Sequence, residues 1–296
     1  MTTVVAIRTN KWTVNEQRVF QQLSPILGNN LKVVFHNRPA GVVPPVECVD
    51  ISNSVMSEMG LRVISDWGWR CGDYAYYALR AAYPDFDNYM LVEPDVYFSG
   101  DPTAFFDHLA TISNDIVALR LGDFDPKHRF ARRVGPVPPK RAIFALTRFS
   151  GRALDRAYAL RKTYSTQNIP DFVYSNDEVF VFSNLLADTT LTVADLAEVA
   201  PEWFDGAQFD TAPDLLSEHV DQDYKGKNKI LHPVVDREFF KKALAKRMVG
   251  RTGVLSQSSR ALSAMSAQEM DDIADIARDQ LREHLRGYES RSDKGK

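Results

Sequence analysis

The sequence predicts an α/β protein with a mixed, mostly parallel sheet flanked by helices and a helical extension at its C-terminal end. Three observations predict this. Short β-branched apolar runs alternate with helix-spaced apolar patterns through the first half. Capping chemistry stands in front of two of the helical patterns. The chain has 296 residues, 44% of them apolar and 25% charged, which is enough for a sizeable core.

The elements follow in order. The run TVVAIRT reads as a buried strand, because β-branched residues suit a pleated, packed surface. Thr13-Val14-Asn15-Glu16 has the capping-box form, and Val19, Phe20, Leu23, Ile26 and Leu27 follow at helical spacing. LKVVFHNR is a second strand and VECVDIS a third. Gly72-Asp73 precedes YAYYALRAAYP, with Asp73 as the expected N-cap and Pro84 as the stop. DNYMLVEPDVYF then reads as a central strand and DIVALRL as another. Residues 122–141 break the alternation with four prolines and a cluster of Lys, Arg and His, and so read as a loop or flap. A strand and helix follow in AIFALTRFSGRALDRAYALRKTY. In YSNDEVFVFSNLLAD, Ser175 or Asn176 caps a helix whose first turn holds Asp177 and Glu178. The last helix, Ser266 to Gly287, opens on Ser266 and Glu269 as a capping box. Its acids come early and its arginines late, which complements the helix dipole. The tail SRSDKGK is expected to be disordered.

Bulk chemistry excludes several classes. A formal net charge of −3 lacks the basic footprint of a general nucleic-acid binder. Two cysteines, Cys48 and Cys71, make neither a disulfide framework nor a four-cysteine zinc site, and they suit a reducing compartment. No basic segment followed by a long apolar one opens the chain, so no signal peptide is expected, and no apolar run is long enough to span a bilayer.

One stretch departs from its own pattern. In YMLVEPDVYFSG an apolar strand runs into Glu93-Pro94-Asp95 and then resumes. Ligands of open α/β sheets bind beyond the carboxyl ends of the strands. An acidic pair there is placed to hold a hard divalent cation such as Mg²⁺ or Mn²⁺. Residues i and i+2 of an extended segment point the same way, which would put both carboxylates on one face. The competing reading is a strand end with solvated acids.

RCGDYAYYALRAAYPDFDNYMLVEPDVYFSGD resembles the central part of GT-A-fold glycosyltransferases, in which a helix leads into a buried strand ending in a short acidic motif. The usual Asp-x-Asp stands here as Glu93-Pro94-Asp95. The resemblance covers residues 1–235 as an order of elements. It implies a GT-A-like (Rossmann-like) catalytic domain over 1–250, with a nucleotide-binding half at 1–121, an acceptor half at 142–250, and a C-terminal helix and tail at 251–296. It implies transfer of a hexosyl-type sugar from a nucleotide-sugar donor to a saccharide or glycoconjugate acceptor, with Mn²⁺ or Mg²⁺ held by Glu93, Asp95 and a late histidine, His232. It further implies that Asp177 or Glu178 takes the acceptor proton if the reaction inverts. Arg8, Thr9, Asn10 and Asn37, with Arg38, follow the first two strands, where base and ribose would lie. Arg70 and Asp73 flank the next helix and face the donor, and Trp67 and Trp69 offer stacking faces or core packing. Trp203 and Asp205, with Phe204, offer an acceptor-sugar platform or, equally, core packing.

The setting implied is polysaccharide or glycoconjugate assembly at a cytoplasmic or membrane-peripheral location, without nucleic acid. The last helix packs on the domain, pairs in a homodimer or, more weakly, meets a membrane surface. Two rivals remain: a sugar nucleotidyltransferase, which usually opens with a Gly-rich loop that AIRTNKWTVNE lacks, and a non-catalytic nucleotide- or sugar-binding protein.

Overall fold

The computed structural model describes residues 1–211, 215–249 and 265–292. The chain divides into two compact units, Met1–Asp236 and Arg237–Lys296.

In the first unit the order is β1 (Thr3–Thr9), α1 (Val14–Leu27), β2 (Leu31–His36), β3 (Cys48–Ile51), α2 (Asn53–Glu58), α3 (Trp67–Arg70), α4 (Asp73–Ala82), β4 (Asn88–Val92), β5 (Tyr97–Phe98) and α5 (Thr103–Thr111). It continues with β6 (Ile116–Asp123), β7 (Lys140–Ser150), α6 (Gly151–Ser165), α7 (Asp177–Leu186), β8 (Val193–Asp195), α8 (Leu196–Val199) and β9 (Phe204–Phe209). It ends with β10 (Leu215–Leu216), α9 (Ser217–Asp223), β11 (Ile230–His232) and β12 (Val234–Val235). The main sheet has the order β3-β2-β1-β4-β7-β6-β8. It is parallel except for β7, which runs antiparallel to both β4 and β6.

Alternation along the strands builds a core on each face. In β1, Val4 and Ala6 pack with α4, α6 and α7, whereas Val5 and Ile7 pack with α1 and α5. Burying each such Val or Ile side chain contributes roughly 1.5–3 kcal/mol. The sheet is therefore apolar on both faces, as expected for a parallel array covered by helices.

Local chemistry sets the helix starts. Both arms of the Thr13–Glu16 capping box form. Asn176 caps α7 by accepting from the Val179 amide at 3.3 Å, which leaves Asp177 and Glu178 in the first turn. At α4 the expectation changes. Gly72 is the N-cap, and the carboxylate of Asp73 turns inward to accept from Tyr77 Oη at 2.9 Å and Arg161 Nε at 2.6 Å. The fully buried Arg161 guanidinium is a charged donor, a stronger partner for a carboxylate than a neutral backbone amide.

The segment 122–141 is built rather than loose. β6 and β7 absorb its two ends, and Phe130, Ala131 and Val134 are buried in the core. In the second unit, α10 spans Arg237–Val249 and α11 spans Ala267–Ser292, so the helix runs through Ser290–Ser292 of the expected tail. Along α11, Met270 and Leu281 are exposed and Ile273 is half-buried. No helix among the described residues is long and apolar enough to cross a membrane.

Candidate active site at the carboxyl edge of the sheet

β1, β2, β3 and β4 run parallel, so all four end at one edge, and Arg8, Asn37, Ser52 and Glu93 emerge there. β4 stops at Val92. Glu93 to Val96 then forms a β-turn closed by Val96 N–H donating to the Glu93 carbonyl at 3.0 Å. This corrects the expected extended segment: Pro94 occupies the second turn position, which its fixed φ favours. Arg18 of α1 holds the turn by donating to the Pro94 carbonyl at 3.0 Å.

A second sheet completes the constellation. After the turn, β5 pairs antiparallel with β11, Tyr97 opposite Leu231, while β11 pairs with β9 on its other side. That register puts His232 beside Asp95, and Val234 N–H donates to the Asp95 carbonyl at 2.7 Å. Ligand atoms of Glu93, Asp95 and His232 all lie within 4.8 Å of one another.

These three side chains fit a divalent cation. His232 Nδ1 lies 2.7 Å from the backbone carbonyl of Asp210. A carbonyl only accepts, so Nδ1 carries the proton and Nε2 keeps its lone pair for the site, the usual outer support of a metal-binding histidine. Asp95 Oδ1 is buried and has no hydrogen-bond partner among the described residues; His232 Nε2 stands 3.5 Å away. Two ligand atoms on one ion at about 2.1 Å are separated by roughly 3–4 Å. Carboxylate, carboxylate and imidazole form a set suited to Mn²⁺ or Mg²⁺. Burial alone would lower the His232 pKa, but the Asp95 and Glu93 carboxylates outweigh it and raise it.

Arg8 links this triad to the start of α7. Its Nη1 lies 2.8 Å from Glu93 Oε1 and 3.7 Å from Asp177 Oδ2, and its Nη2 donates to the Gly68 carbonyl at 2.9 Å. Burial opposes the Arg8 charge, and the carboxylates of Glu93, Asp177 and Asp73 overcome that and raise its pKa. Asp177 is buried and accepts from the amides of Gly72 at 2.7 Å and Glu178 at 2.8 Å. Burial pushes its pKa up to about 8, with Arg8 pulling the other way. Glu178 is half-buried, and burial first and the Glu93 charge second raise its pKa too.

Gly72 is a site residue that sequence reading passed over. A Cβ there would lie 2.0 Å from Arg8 Nη1 and 2.4 Å from Asp177 Oδ2. Only hydrogen leaves room for the guanidinium and carboxylate to meet against the backbone. Its sequence neighbours, Cys71 and Asp73, carry no hint of that role. Arg18 and the Asp210 carbonyl also escaped, because nothing local marks a residue that orients another.

The remaining expected residues scatter. Thr9 Oγ1 packs against Glu16 Oε1 at 2.8 Å, supporting the start of α1, and Asn10 is exposed. Asn37, in a left-handed conformation, helps line an open cleft of about 640 Å³ with Arg38, Val42, Asp50, Ile51 and Ser52, beyond the ends of β2 and β3. Arg70 faces inward: it binds Asp66 and the carbonyls of Asp171 and Tyr174. Asp73 pairs with Arg161, so neither Arg70 nor Asp73 reaches the cleft edge as a free donor or acceptor. Trp67 is buried against His36 and Tyr74, whereas Trp69 is exposed. The ring expected as a sugar platform, Trp203, is buried between Phe105 and His108. Asp205 takes its place in β9, and its side chain lies outside the described residues.

No protein-family model matches the sequence, and no curated protein matches it. Solved structures do match. Mouse xyloside xylosyltransferase 1 overlays with a TM-score of 0.40 at 12% identity, over 78% of this chain and 98% of that one. The galactosyltransferase LgtC, solved with donor and acceptor sugar analogues, gives a TM-score of 0.40 at 9% identity over 73% of this chain and 76% of its own. The inositol-1-phosphate CTP transferase of T. maritima gives 0.35 at 12% identity over 66% and 85%. The structures that this chain is similar to thus include glycosyltransferases and nucleotidyltransferases. At this degree of overlay, chemistry rests on the chain's own residues: the acidic turn, His232, and the carboxylates of α7.

Proposed function

We propose that this chain is a GT-A-like glycosyltransferase that moves a sugar from a nucleoside-diphosphate donor to a hydroxyl of a saccharide or glycoconjugate acceptor. The observation that carries the reading is the convergence of Glu93, Asp95 and His232 from two sheets at one carboxyl edge. The nucleoside takes the cleft beyond β2 and β3, and the diphosphate lies over the acidic turn. Glu93, Asp95 and His232 would hold a divalent cation there, which would offset charge developing on the leaving diphosphate.

The chain's own groups do the rest. The acceptor oxygen forms a bond to the anomeric carbon as the bond from that carbon to the diphosphate oxygen breaks. The bonding pair leaves with the diphosphate. Glu178 takes the acceptor proton, because its carboxyl is partly accessible and burial raises its pKa, which strengthens it as a base. Asp177 is enclosed, with both oxygens already accepting backbone amides, so it holds Arg8 and Gly72 in place. Transfer from a side opposite the leaving group inverts the anomeric centre.

Incubation with a panel of nucleotide sugars and Mn²⁺, followed by nucleoside diphosphate release, tests this. Glu178→Gln should keep donor binding and lose transfer by about 10²–10⁴-fold. Pyrophosphate release from nucleoside triphosphate and sugar 1-phosphate would instead make the chain a nucleotidyltransferase. Tight nucleotide binding with no turnover would make it a binding protein.

A further inference from the structure

The segment between β6 and β7 presents a charge the site does not use. From 122 to 141 it carries six Lys and Arg against two Asp, in a chain whose formal net charge is −3. Phe130, Ala131 and Val134 pin it to the core, and Asn184 of α7 donates to the Val134 carbonyl at 3.3 Å. Lys127, Arg129, Arg132 and Arg133 are left exposed on this anchored frame. None of the four pairs with a carboxylate among the described residues. Arg132 Nε donates to the Lys127 carbonyl at 2.9 Å, and Arg129 lies over the Phe130 ring, 4.5 Å from its centroid.

Apolar groups border these cations. The Arg70 guanidinium sits 5.5 Å from the Phe130 centroid and also donates to the carbonyls of Asp171 and Tyr174. The basic segment, α3 and the 3-10 turn Asp171–Val173 therefore meet at one buried guanidinium. On these two neighbours Trp69 is 67% exposed and Phe172 is 64% exposed. Both are large apolar rings left open to solvent on elements that adjoin the basic segment.

We propose that this face seats on an anionic bilayer surface, with Lys127, Arg129, Arg132 and Arg133 against phosphate headgroups and Trp69 and Phe172 at the headgroup boundary. The four cations are spread along an exposed segment. A soluble phosphate would need donors converging on one point, whereas a planar array of headgroups meets dispersed charges. The Trp69 indole, apolar with one polar edge, favours the membrane–water boundary, and the Phe172 ring adds apolar surface beside it. The negative balance of the rest of the chain orients this face toward an anionic surface. The inference goes beyond sugar transfer and does not need it.

Flotation of the full chain with phosphatidylcholine vesicles, with and without phosphatidylglycerol, tests it. Binding is expected only to the anionic vesicles and should weaken as salt rises. The variant Lys127→Gln/Arg129→Gln/Arg132→Gln/Arg133→Gln should lose affinity by on the order of tenfold or more. Arg129→Lys/Arg132→Lys/Arg133→Lys keeps the charges and should keep binding, which separates charge loss from a disturbed fold. Trp69→Ser/Phe172→Ser should weaken the part of binding that persists at high salt. Failure of the wild-type chain to bind anionic vesicles, equal binding by the glutamine variant, or loss of binding by the lysine variant would each overturn the proposal. So would tighter binding to single-stranded RNA than to the vesicles.

Discussion

At the scale of single residues, Gly72 is the tightest constraint in the site. Its backbone amide holds Asp177, and its missing side chain admits the Arg8 guanidinium. Gly72→Ala drives a methyl group into both. Urea unfolding should show a loss of about 1–3 kcal/mol, the usual cost of overpacking, and nucleotide binding should weaken with it. Unchanged stability would mean that Arg8 moves freely, and the linked arrangement would be wrong. Asp177 gives a second prediction. Burial raises its folded pKa to about 8, above that of an unfolded aspartate. The native state then holds a proton that the unfolded chain has released. This group's contribution to stability is fully present below about pH 4 and is lost as pH rises through about 8. The slope is at most about 1.4 kcal/mol per pH unit. Stability measured across that window should fall less steeply in Asp177→Asn than in wild type; equal slopes would show that Asp177 stays ionised throughout.

Elements place what residues do. The acidic turn is fixed from three sides: β4 before it, β5 paired to β11 after it, and Arg18 of α1 across it. Arg18→Met removes the donor to the Pro94 carbonyl. Calorimetric titration with MnCl₂ should show affinity about tenfold weaker, the scale of an outer support, and identical affinity would show that the strands suffice. On the opposite side of the sheet, Asp73 and Arg161 join α4 to α6 through a pair that is 2% and 0% exposed in its side chains. Removing one partner strands a buried charge. Arg161→Met should therefore cost about 3–5 kcal/mol, and adding Asp73→Asn should recover part of it. A double variant no more stable than the single would show that the pair is not what holds the helices. These long-range pairings explain why the sequence showed the capping boxes but misplaced Asp73. A local pattern marks a helix start; it does not reveal an arginine 88 residues away.

The whole molecule shows which information is local. Strand–helix alternation, double-sided burial and the parallel half of the sheet were legible because period and β-branching are properties of short segments. The exit of the chain at Glu93-Pro94-Asp95 was legible as an anomaly, yet its form as a turn depends on β11, which lies more than 130 residues further on. His232 was expected only from resemblance; its orientation by Asp210 needed the second sheet. Trp203 carried the right chemistry for a sugar platform, and core packing against Phe105 and His108 won. Residues 122–141 read from sequence as a loop or flap, because the anchoring of that segment by Phe130 and Val134 shows only in three dimensions.

The central claim is that Glu93, Asp95 and His232 couple a divalent cation to a nucleoside diphosphate. Thermal unfolding with UDP, GDP, CDP and dTDP, each with Mn²⁺ and with chelator, measures this most directly, since a ligand that binds only the native state raises apparent stability. At least one nucleoside diphosphate should raise the unfolding midpoint with Mn²⁺ and not with chelator, and Asp95→Ala should abolish that difference. A nucleotide-induced rise that is the same with chelator, or that survives in Asp95→Ala, would contradict the account.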